Sequence, residues 1–469
     1  MGTKAAVGVG VVAALVLGYA AADVFDVAPG ILTTSAPAAK PAAQRVPGLE
    51  QSGGPRVLAP LHADAPAPTR PALRRELSNL LSAKALGKSV GFEVRDARTG
   101  RALYASDAKK PHTPASTTKL LTATAALTAL GPGQRFSTTV RSGPGKDDVT
   151  VQAGGDVLLG RGKSKPSSTT GHAGLGTLAD KTAAALKKKG RRTVAVHLDT
   201  SVFAGPARNP LWAQHSVQGG QVAPIEPLMV DAGRVKDGQN IPRASDPAMA
   251  ATTIFAKKLE ADGITVVGKP TRTHAQAGST VLARVKSARL SQIVRYMLQW
   301  SDNTVAETLG RLVAVQTGRP GSTLGAVDAV TDEVKKLGVD VARVELHDTS
   351  GLSHHNRLTA AALTDLLVLA ASGKHANLDS LIPSLPVAGL NGTLQYRYGK
   401  AAWPGAGLVH AKTGSLFKVS SLAGVVTDAS GRMLTFALIA DRTPPDDVES
   451  THRAMDAIAA RLAECGCAG

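Results

Sequence analysis

Apolar and polar positions change their period several times along the chain, and each change marks an element. Residues 5–22, AAVGVGVVAALVLGYAAA, carry no charge, which is the border between a signal-peptide core and an anchoring helix. From 33 to about 71 no apolar period survives and Pro, Ala and Gly dominate, the composition of an extended linker. Order begins near Ala72, where Leu73, Leu77, Leu80 and Leu81 recur at helical spacing. VGFEVRD and RALYAS, joined by ARTG, read as a strand hairpin. Pro111 and Pro114 then punctuate the chain, and TPASTTKLLTATAAL over 113–127 runs into LGPG at 130–133. That stretch predicts an alanine-rich helix starting beside Ser116.

From about Phe136 to about Val285 the texture changes. Short alternating stretches such as VTVQAG and RTVAVHLD lie between Gly-rich and Ser/Thr-rich loops, which predicts a separate α+β insertion. Helices return at LSQIVRYMLQW, where the spacing puts Leu290, Ile293, Met297 and Trp300 on one face. SDNTVAETLGRLVAVQTG starts another helix, with Thr304 and Glu307 at capping-box spacing. GLVHAKTGS, KVSSLAGVVTD and RMLTFALIAD read as consecutive strands, and DVESTHRAMDAIAARLAE as a closing helix. A hairpin near the start and a meander near the end predict one antiparallel sheet built from both chain ends and flanked by helices, an α+β fold. The expected division is 1–30 signal peptide or membrane anchor, 31–71 linker, 72–136 first part of the main domain, 137–284 insertion and 285–469 second part.

The 469-residue chain has a formal net charge of +18 and only 3% aromatic residues. A basic balance admits nucleic acid, an anionic membrane surface or an anionic wall polymer as neighbour. No aromatic residues are interleaved with the basic runs, so no nucleic-acid partner is expected. Lys187, Lys188, Lys189, Arg191 and Arg192 form the densest charge run and read as a solvated helix end. The cysteines, Cys465 and Cys467, have one residue between them, a spacing that disfavours a relaxed disulfide. No zinc-type Cys/His spacing and no HExxH occurs, so neither a metal nor a cofactor is expected. The apolar N-terminal segment sends the rest of the chain across the membrane under either reading, and an exported protein is expected.

The candidate chemistry starts from Ser-x-x-Lys, which occurs three times: Ser106/Lys109, Ser116/Lys119 and Ser415/Lys418. Ser106/Lys109 lies in a turn-rich stretch without apolar period. Positions i and i+3 of a strand face opposite ways, which removes Ser415/Lys418. Ser116 and Lys119 open a helix, where i and i+3 share a face and free N–H groups favour developing negative charge. By itself this pair could be a plain helix cap. Two further motifs change that: SDN, Ser301 to Asn303, at a junction between helices, and KTG, Lys412 to Gly414, on a strand. Ser-x-x-Lys, SDN and KTG in this order are the motif set of penicillin-interacting serine enzymes.

The residue types suit acyl transfer. A serine hydroxyl needs a base to take its proton, and lysine serves as one only when burial or nearby cations lower its pKa. Lys119 is the candidate base for Ser116, with Lys412 the cation beside it, and if the two converge each is expected to lower the other's pKa. Ser301 can relay a proton to the leaving amine, since a hydroxyl both donates and accepts. Asn303 can hold Lys119 and a substrate amide. Gly414 lets substrate backbone lie close to the strand. Lys412, Thr413 and Ser415 present charge and hydroxyls to a terminal carboxylate. The backbone N–H groups of Ser116 and Ser415 would form the oxyanion hole, each such donor being worth roughly 3 kcal/mol.

PASTTKLLTATAAL, SDN, HDTSGLSHHN, LPVAGLNGTL and HAKTGS, with the softer matches GGDVLLGRG and LDTSVFAGP, resemble the D-alanyl-D-alanine carboxypeptidase/endopeptidases, the class C low-molecular-mass penicillin-binding proteins. The resemblance covers about residues 73–460. It implies a β-lactamase/transpeptidase-like domain, removal of terminal D-Ala from peptidoglycan stem peptides, often with cross-link cleavage, and covalent inhibition by β-lactams. The family carries extra domains between its first two motifs, where the texture change lies. It often has an arginine after SGLS, associated with recognising the substrate's diamino acid; here His354 and His355 follow. Asp156 in GGD is a further candidate for a substrate-amine pocket. The rivals are a β-lactamase, for which no deacylating glutamate stands out, and a non-catalytic wall-binding protein. Since neither nucleophile nor base is assigned to 137–284, the insertion is expected to be dispensable for acylation and to steer or hold wall polymer.

Overall fold

Strands from the early and late parts of the described chain meet in one sheet. The computed structural model describes residues 65–467 apart from 237, 239 and 240, all within a unit spanning 60–469. The apolar run at 5–22 and nearly all of the linker lie outside the described residues. Helix α1 (Arg70–Leu81) leads through a short turn to β1 (Val90–Asp96) and β2 (Ala102–Ser106). A 3₁₀ turn over Ala115–Thr118 then runs straight into α2 (Lys119–Leu130). Every residue of α2 from Lys119 to Leu127 is buried, as expected of a helix that is apolar all round.

The inserted stretch contributes β3 (Ser137–Ser142), β4 (Asp148–Gln152), β5 (Asp156–Leu159), α3 (Leu175–Lys188), β6 (Thr193–Asp199), β7 (Leu228–Val230), α4 (Pro247–Ala261), β8 (Thr265–Val266), β9 (Thr271–Arg272) and β10 (Val281–Lys286). Its main sheet runs β10-β3-β4-β6-β8, with β9 also on β6. The two pairs β10–β3 and β3–β4 are antiparallel, and β4–β6 and β6–β8 are parallel. Val140, Val151, Leu178, Val196, Phe255 and Leu259 belong to a core of its own. The insertion is nevertheless not sealed off, because Val157, Leu158, Ala223, Met229 and Ala232 join the main core.

The chain returns through α5 (Leu290–Trp300), α6 (Asn303–Gln316), α7 (Thr323–Lys336) and α8 (Ala360–Ala371) to β11 (Val409–Leu416), β12 (Val419–Thr427), β13 (Met433–Ala440) and α9 (Val448–Glu464). The five-stranded sheet has the order β11-β12-β13-β1-β2, and all its pairs are antiparallel. Its side chains alternate as the strand period requires. Phe92, Val94, Leu422, Phe436 and Leu438 pack on α1 and α9, while Ala423, Ala437 and Ile439 face the α2 side. Burying each of the larger side chains is worth roughly 1.5–3 kcal/mol.

Three readings of the sequence change. Thr304 and Glu307 do not form a capping box: Asp302 caps α6 by accepting from Val305 N at 3.0 Å, while Thr304 Oγ1 accepts from Ala223 N at 3.0 Å. Leu290, Ile293 and Met297 are buried as the spacing predicts, but Trp300 is 48% exposed, because α5 ends there and the chain turns away. The cysteines are paired as a disulfide: Gly466 N donates to Glu464 O at 3.0 Å, a tight turn that leaves the Cα atoms of Cys465 and Cys467 4.9 Å apart, within disulfide range.

Candidate active site

The nucleophile position is built from a strained turn. Ala115 has φ 48° and Ser301 φ 53°, a left-handed conformation that costs an L-residue roughly 1–3 kcal/mol. Ala115 is held by the loop after α7: Gly351 lies so close that a Cβ there would sit 1.8 Å from Ala115 O. Only glycine permits that approach. Ser116, at the head of α2, stays partly exposed with its side chain available.

Lys119 lies one turn on, fully buried. Its Nζ donates to Ser116 Oγ at 2.9 Å, Asn303 Oδ1 at 2.6 Å and Ser350 O at 2.7 Å. Burial lowers its pKa to about 8, opposed by the charges of Asp348, Glu307 and Asp302. Lys412 is also fully buried and donates to Ser301 Oγ at 2.9 Å and Thr413 O at 2.7 Å. Burial, and then the charge of Lys119, hold it well below the ordinary lysine range. The expectation that two lysines lower one another is met from one side only, and burial does most of the work.

β11 is the edge strand, so one row of its backbone groups faces away from the sheet. Ala411 N donates outward to Pro386 O at 2.9 Å; by the two-residue period, Thr413 and Ser415 turn their N–H groups to the same edge. A Cβ on Gly414 would lie 2.9 Å from Ser116 N, so β11 runs directly past the nucleophile's backbone. Thr413 Oγ1 donates to Thr393 Oγ1 at 2.8 Å. Ser415 Oγ is 3.2 Å from His452 Nε2, and burial, with Arg397 nearby, pushes His452 down to about 4.

A cleft of about 380 Å³ opens on Ser301 and Asn303, walled by Gln221, Arg234, Tyr296 and Trp300. The inserted stretch holds this wall. Asn303 Nδ2 donates to Gln221 O at 3.0 Å, and Arg234 Nη2 to Asp302 Oδ2 at 2.8 Å. Farther round, Trp212 Nε1 donates to Asp348 Oδ2 at 2.9 Å and Asn209 Nδ2 to His347 O at 2.7 Å. Residues 209–234 of the insertion buttress the S-D-N turn and the Asp348 loop, which argues against the expectation that 137–284 is dispensable for acylation. The basic run is partly consumed within the fold: Lys187 Nζ donates to Asp262 O at 2.6 Å and Arg191 pairs with Asp147 at 3.8 Å.

Ser116, Lys119, Ser301, Asn303, Lys412, Thr413, Gly414 and Ser415 thus converge. Among the described residues, neither Asp156 nor His354 makes a hydrogen bond to any of them. Asp156 is buried on β5, where its carboxylate accepts from Leu158 N at 3.0 Å; burial pushes it up to about 7. His354 is exposed, and its carbonyl accepts from Arg357 Nη1 at 2.7 Å. Partial burial, then His355, His215 and Arg357, lower its pKa. Sequence reasoning missed Gln221, Arg234, Glu307, Asp348 and His452. Of these, Glu307 follows SDN but has the spacing of a capping residue, and Asp348 lies within HDTSG. Among the described residues no group of His, Cys, Asp and Glu side chains could hold a metal ion.

The chain matches the model of the D-Ala-D-Ala carboxypeptidase 3 (S13) family over residues 73–240 and 236–462. It is 38% identical over 473 residues to Carboxypeptidase DacB of Mycolicibacterium smegmatis, covering 99% of this chain and 98% of that one. It is 30% identical to a D-alanyl-D-alanine carboxypeptidase of an Actinomadura species, covering 86% of this chain and 87% of the relative. The fold is similar to penicillin binding protein 4 (dacB) of Haemophilus influenzae, with a TM-score of 0.68 at 24% identity over 82% of this chain and 97% of that structure.

Proposed function

The chain belongs to the D-Ala-D-Ala carboxypeptidase 3 (S13) family, and on that premise we propose that Ser116 is the nucleophile and Lys119 its base. The protein is a serine-type D-alanyl-D-alanine carboxypeptidase, a hydrolase that removes terminal D-Ala from peptidoglycan stem peptides and is acylated by β-lactams. It acts outside the cytoplasm.

In the reaction we infer, Ser116 Oγ attacks the carbonyl carbon of the terminal D-Ala-D-Ala bond while its proton passes to neutral Lys119. The backbone N–H groups of Ser116 and Ser415 receive the oxyanion. Collapse breaks the C–N bond, and the proton held by Lys119 reaches the departing amine through Ser301, which leaves Lys119 neutral again. Water then attacks the resulting ester, Lys119 takes its proton and returns it to Ser116 Oγ as the ester C–O bond breaks, and the shortened peptide is freed. Lys412, Thr413 and Ser415 hold the substrate carboxylate, and Asn303 the acyl amide. The observation that carries this reading is the 2.9 Å contact between Lys119 Nζ and Ser116 Oγ, made by a buried lysine lowered to about 8. At pH 7 such a lysine is neutral in roughly a tenth of molecules, against fewer than about one in a thousand for an ordinary one. Intact mass after incubation with penicillin, followed by peptide mapping, tests it: the adduct should sit on Ser116, and an adduct elsewhere would refute the assignment.

Cross-link cleavage by the same chemistry is favoured by the cleft beyond Ser301. Its 380 Å³ offers a leaving strand more room than one alanine needs. An anionic wall polymer as partner is supported by a second groove of about 860 Å³, lined by Lys84, Lys88, Lys418 and Arg442. None of these cations meets a carboxylate among the described residues, and the one acid in the lining, Asp441, is turned to His112 and Thr113 N. The apolar segment at 5–22 would tether or export the body; among the described residues no helix is long and apolar enough to cross a membrane.

A further inference from the structure

Glu307 is buried on α6, 1% exposed, and its partners are neither a cap nor a cation. Oε1 accepts from Ser350 N at 2.8 Å and Thr349 N at 3.0 Å, and Oε2 from Thr349 Oγ1 at 3.2 Å. Ser350 is the residue whose carbonyl accepts from Lys119 Nζ at 2.7 Å. One peptide segment therefore has its N–H on Glu307 and its C=O on the proposed base. We propose that Glu307 is a positioning residue for Lys119: it fixes the Ser350 carbonyl against the amine and keeps a carboxylate charge within the base's surroundings.

The proposal rests on the reading of Lys119 as the base. The charged groups around the pair come from every packed element. Lys119 is at the head of α2; Asp302 caps α6, which also bears Glu307 and Arg311; Asp348 opens the loop; Lys412 lies on β11. Both terminal nitrogens of Arg311 donate elsewhere, to Pro206 O at 2.7 Å, Ala204 O at 3.3 Å, Gly321 O at 3.4 Å and Thr323 Oγ1 at 3.3 Å. No cation among the described residues forms an ion pair with Glu307. Burial, and then Asp348, push the carboxyl up to about 7, against the hydrogen bond from Ser350, the charge of Arg311 and the hydrogen bond from Thr349. Above that pH it is ionised and favours the ammonium form of Lys119. Removing the charge must then lower the lysine's pKa.

The test is the pH dependence of the second-order rate of penicillin acylation in the full chain. Glu307→Gln keeps an oxygen for both N–H groups and loses the charge. Its acid limb should move at least about half a pH unit lower, with a plateau within roughly threefold of wild type. Glu307→Asp keeps the charge but draws the oxygens back from the Ser350 peptide. Its plateau should fall at least about tenfold with the limb unmoved. A superimposable Gln profile, or an Asp plateau equal to wild type, would overturn the proposal. If circular dichroism shows the Gln variant unfolded, the Asp variant decides alone. If neither folds, the wild-type limb decides: coupling of the two groups makes log rate rise less than one unit per pH unit near pH 7, and a slope of one throughout refutes it. A wild-type chain that penicillin does not acylate would instead refute the reading of the site.

Discussion

Lys119 Nζ and Asn303 Oδ1 meet at 2.6 Å although 184 positions separate them. The same Asn303 donates its amide to Gln221 O, so the base, the second motif and the insertion are tied through one side chain. The second amide hydrogen of Asn303 stays free for a substrate carbonyl.

Replacing Ser116 by Ala should abolish covalent penicillin labelling and leave the fold intact. Among the described residues the hydroxyl's hydrogen bond is to Lys119, and its loss should change stability by no more than about 1 kcal/mol. Intact mass and a thermal melt check both halves; full labelling would refute the assignment.

Acylation should rise with pH through about 8. Lys119 has a lowered pKa in the folded chain and acts as base only when neutral, so protonation below that value removes activity. The same shift makes folding stability increase as pH rises between the folded value and the ordinary lysine value, where the unfolded chain binds the extra proton. Stopped-flow acylation from pH 5.5 to 9.5 reads the first effect, and a flat profile would contradict it.

Lys412→Ala should slow turnover of peptides ending in a free carboxylate on the order of 100-fold. Stability should change little, because the hydrogen bonds to Ser301 and Thr413 are lost together with the desolvation cost of the buried amine. Steady-state kinetics with a D-Ala-D-Ala peptide and a parallel melt distinguish this from a folding defect.

Arg234→Ala should impair acylation at least about tenfold and destabilise the chain by roughly 3 kcal/mol, because buried Asp302 loses its 2.8 Å guanidinium partner. Deleting 137–284 should abolish acylation for the same reason. A spliced protein that melts cooperatively and is acylated at the wild-type rate would show that the insertion does not support the S-D-N turn.

Lys84→Glu with Lys88→Glu should weaken binding to a poly(glycerol phosphate) chain at least about tenfold at low salt and spare penicillin acylation. Cosedimentation with the polymer and with anionic phospholipid vesicles separates the two anions. Unchanged polymer binding, or loss of vesicle binding alone, would count against the polymer reading.

The sequence by itself determined whatever depends on local order. VGFEVRD, KVSSLAGVVTD and RMLTFALIAD are strands of one antiparallel sheet, and short runs rich in β-formers bounded by turn residues are legible from neighbours along the chain. Ser116 and Lys119 share a helix face for the same reason, and the three motifs, read in order, identified the residues that meet. Tertiary structure decided what depends on distant partners. Glu307 has the spacing of a capping residue, yet the fold brings Thr349 and Ser350 to its carboxylate. Trp300 has the spacing of a core residue, yet the turn at Ser301 leaves it on the cleft wall. Arg234 carries no motif at all; it reaches Asp302 because the insertion folds back on the helix junction. Burial sets the lysine pKa values, and burial is a property of what packs around a side chain, which local spacing does not encode.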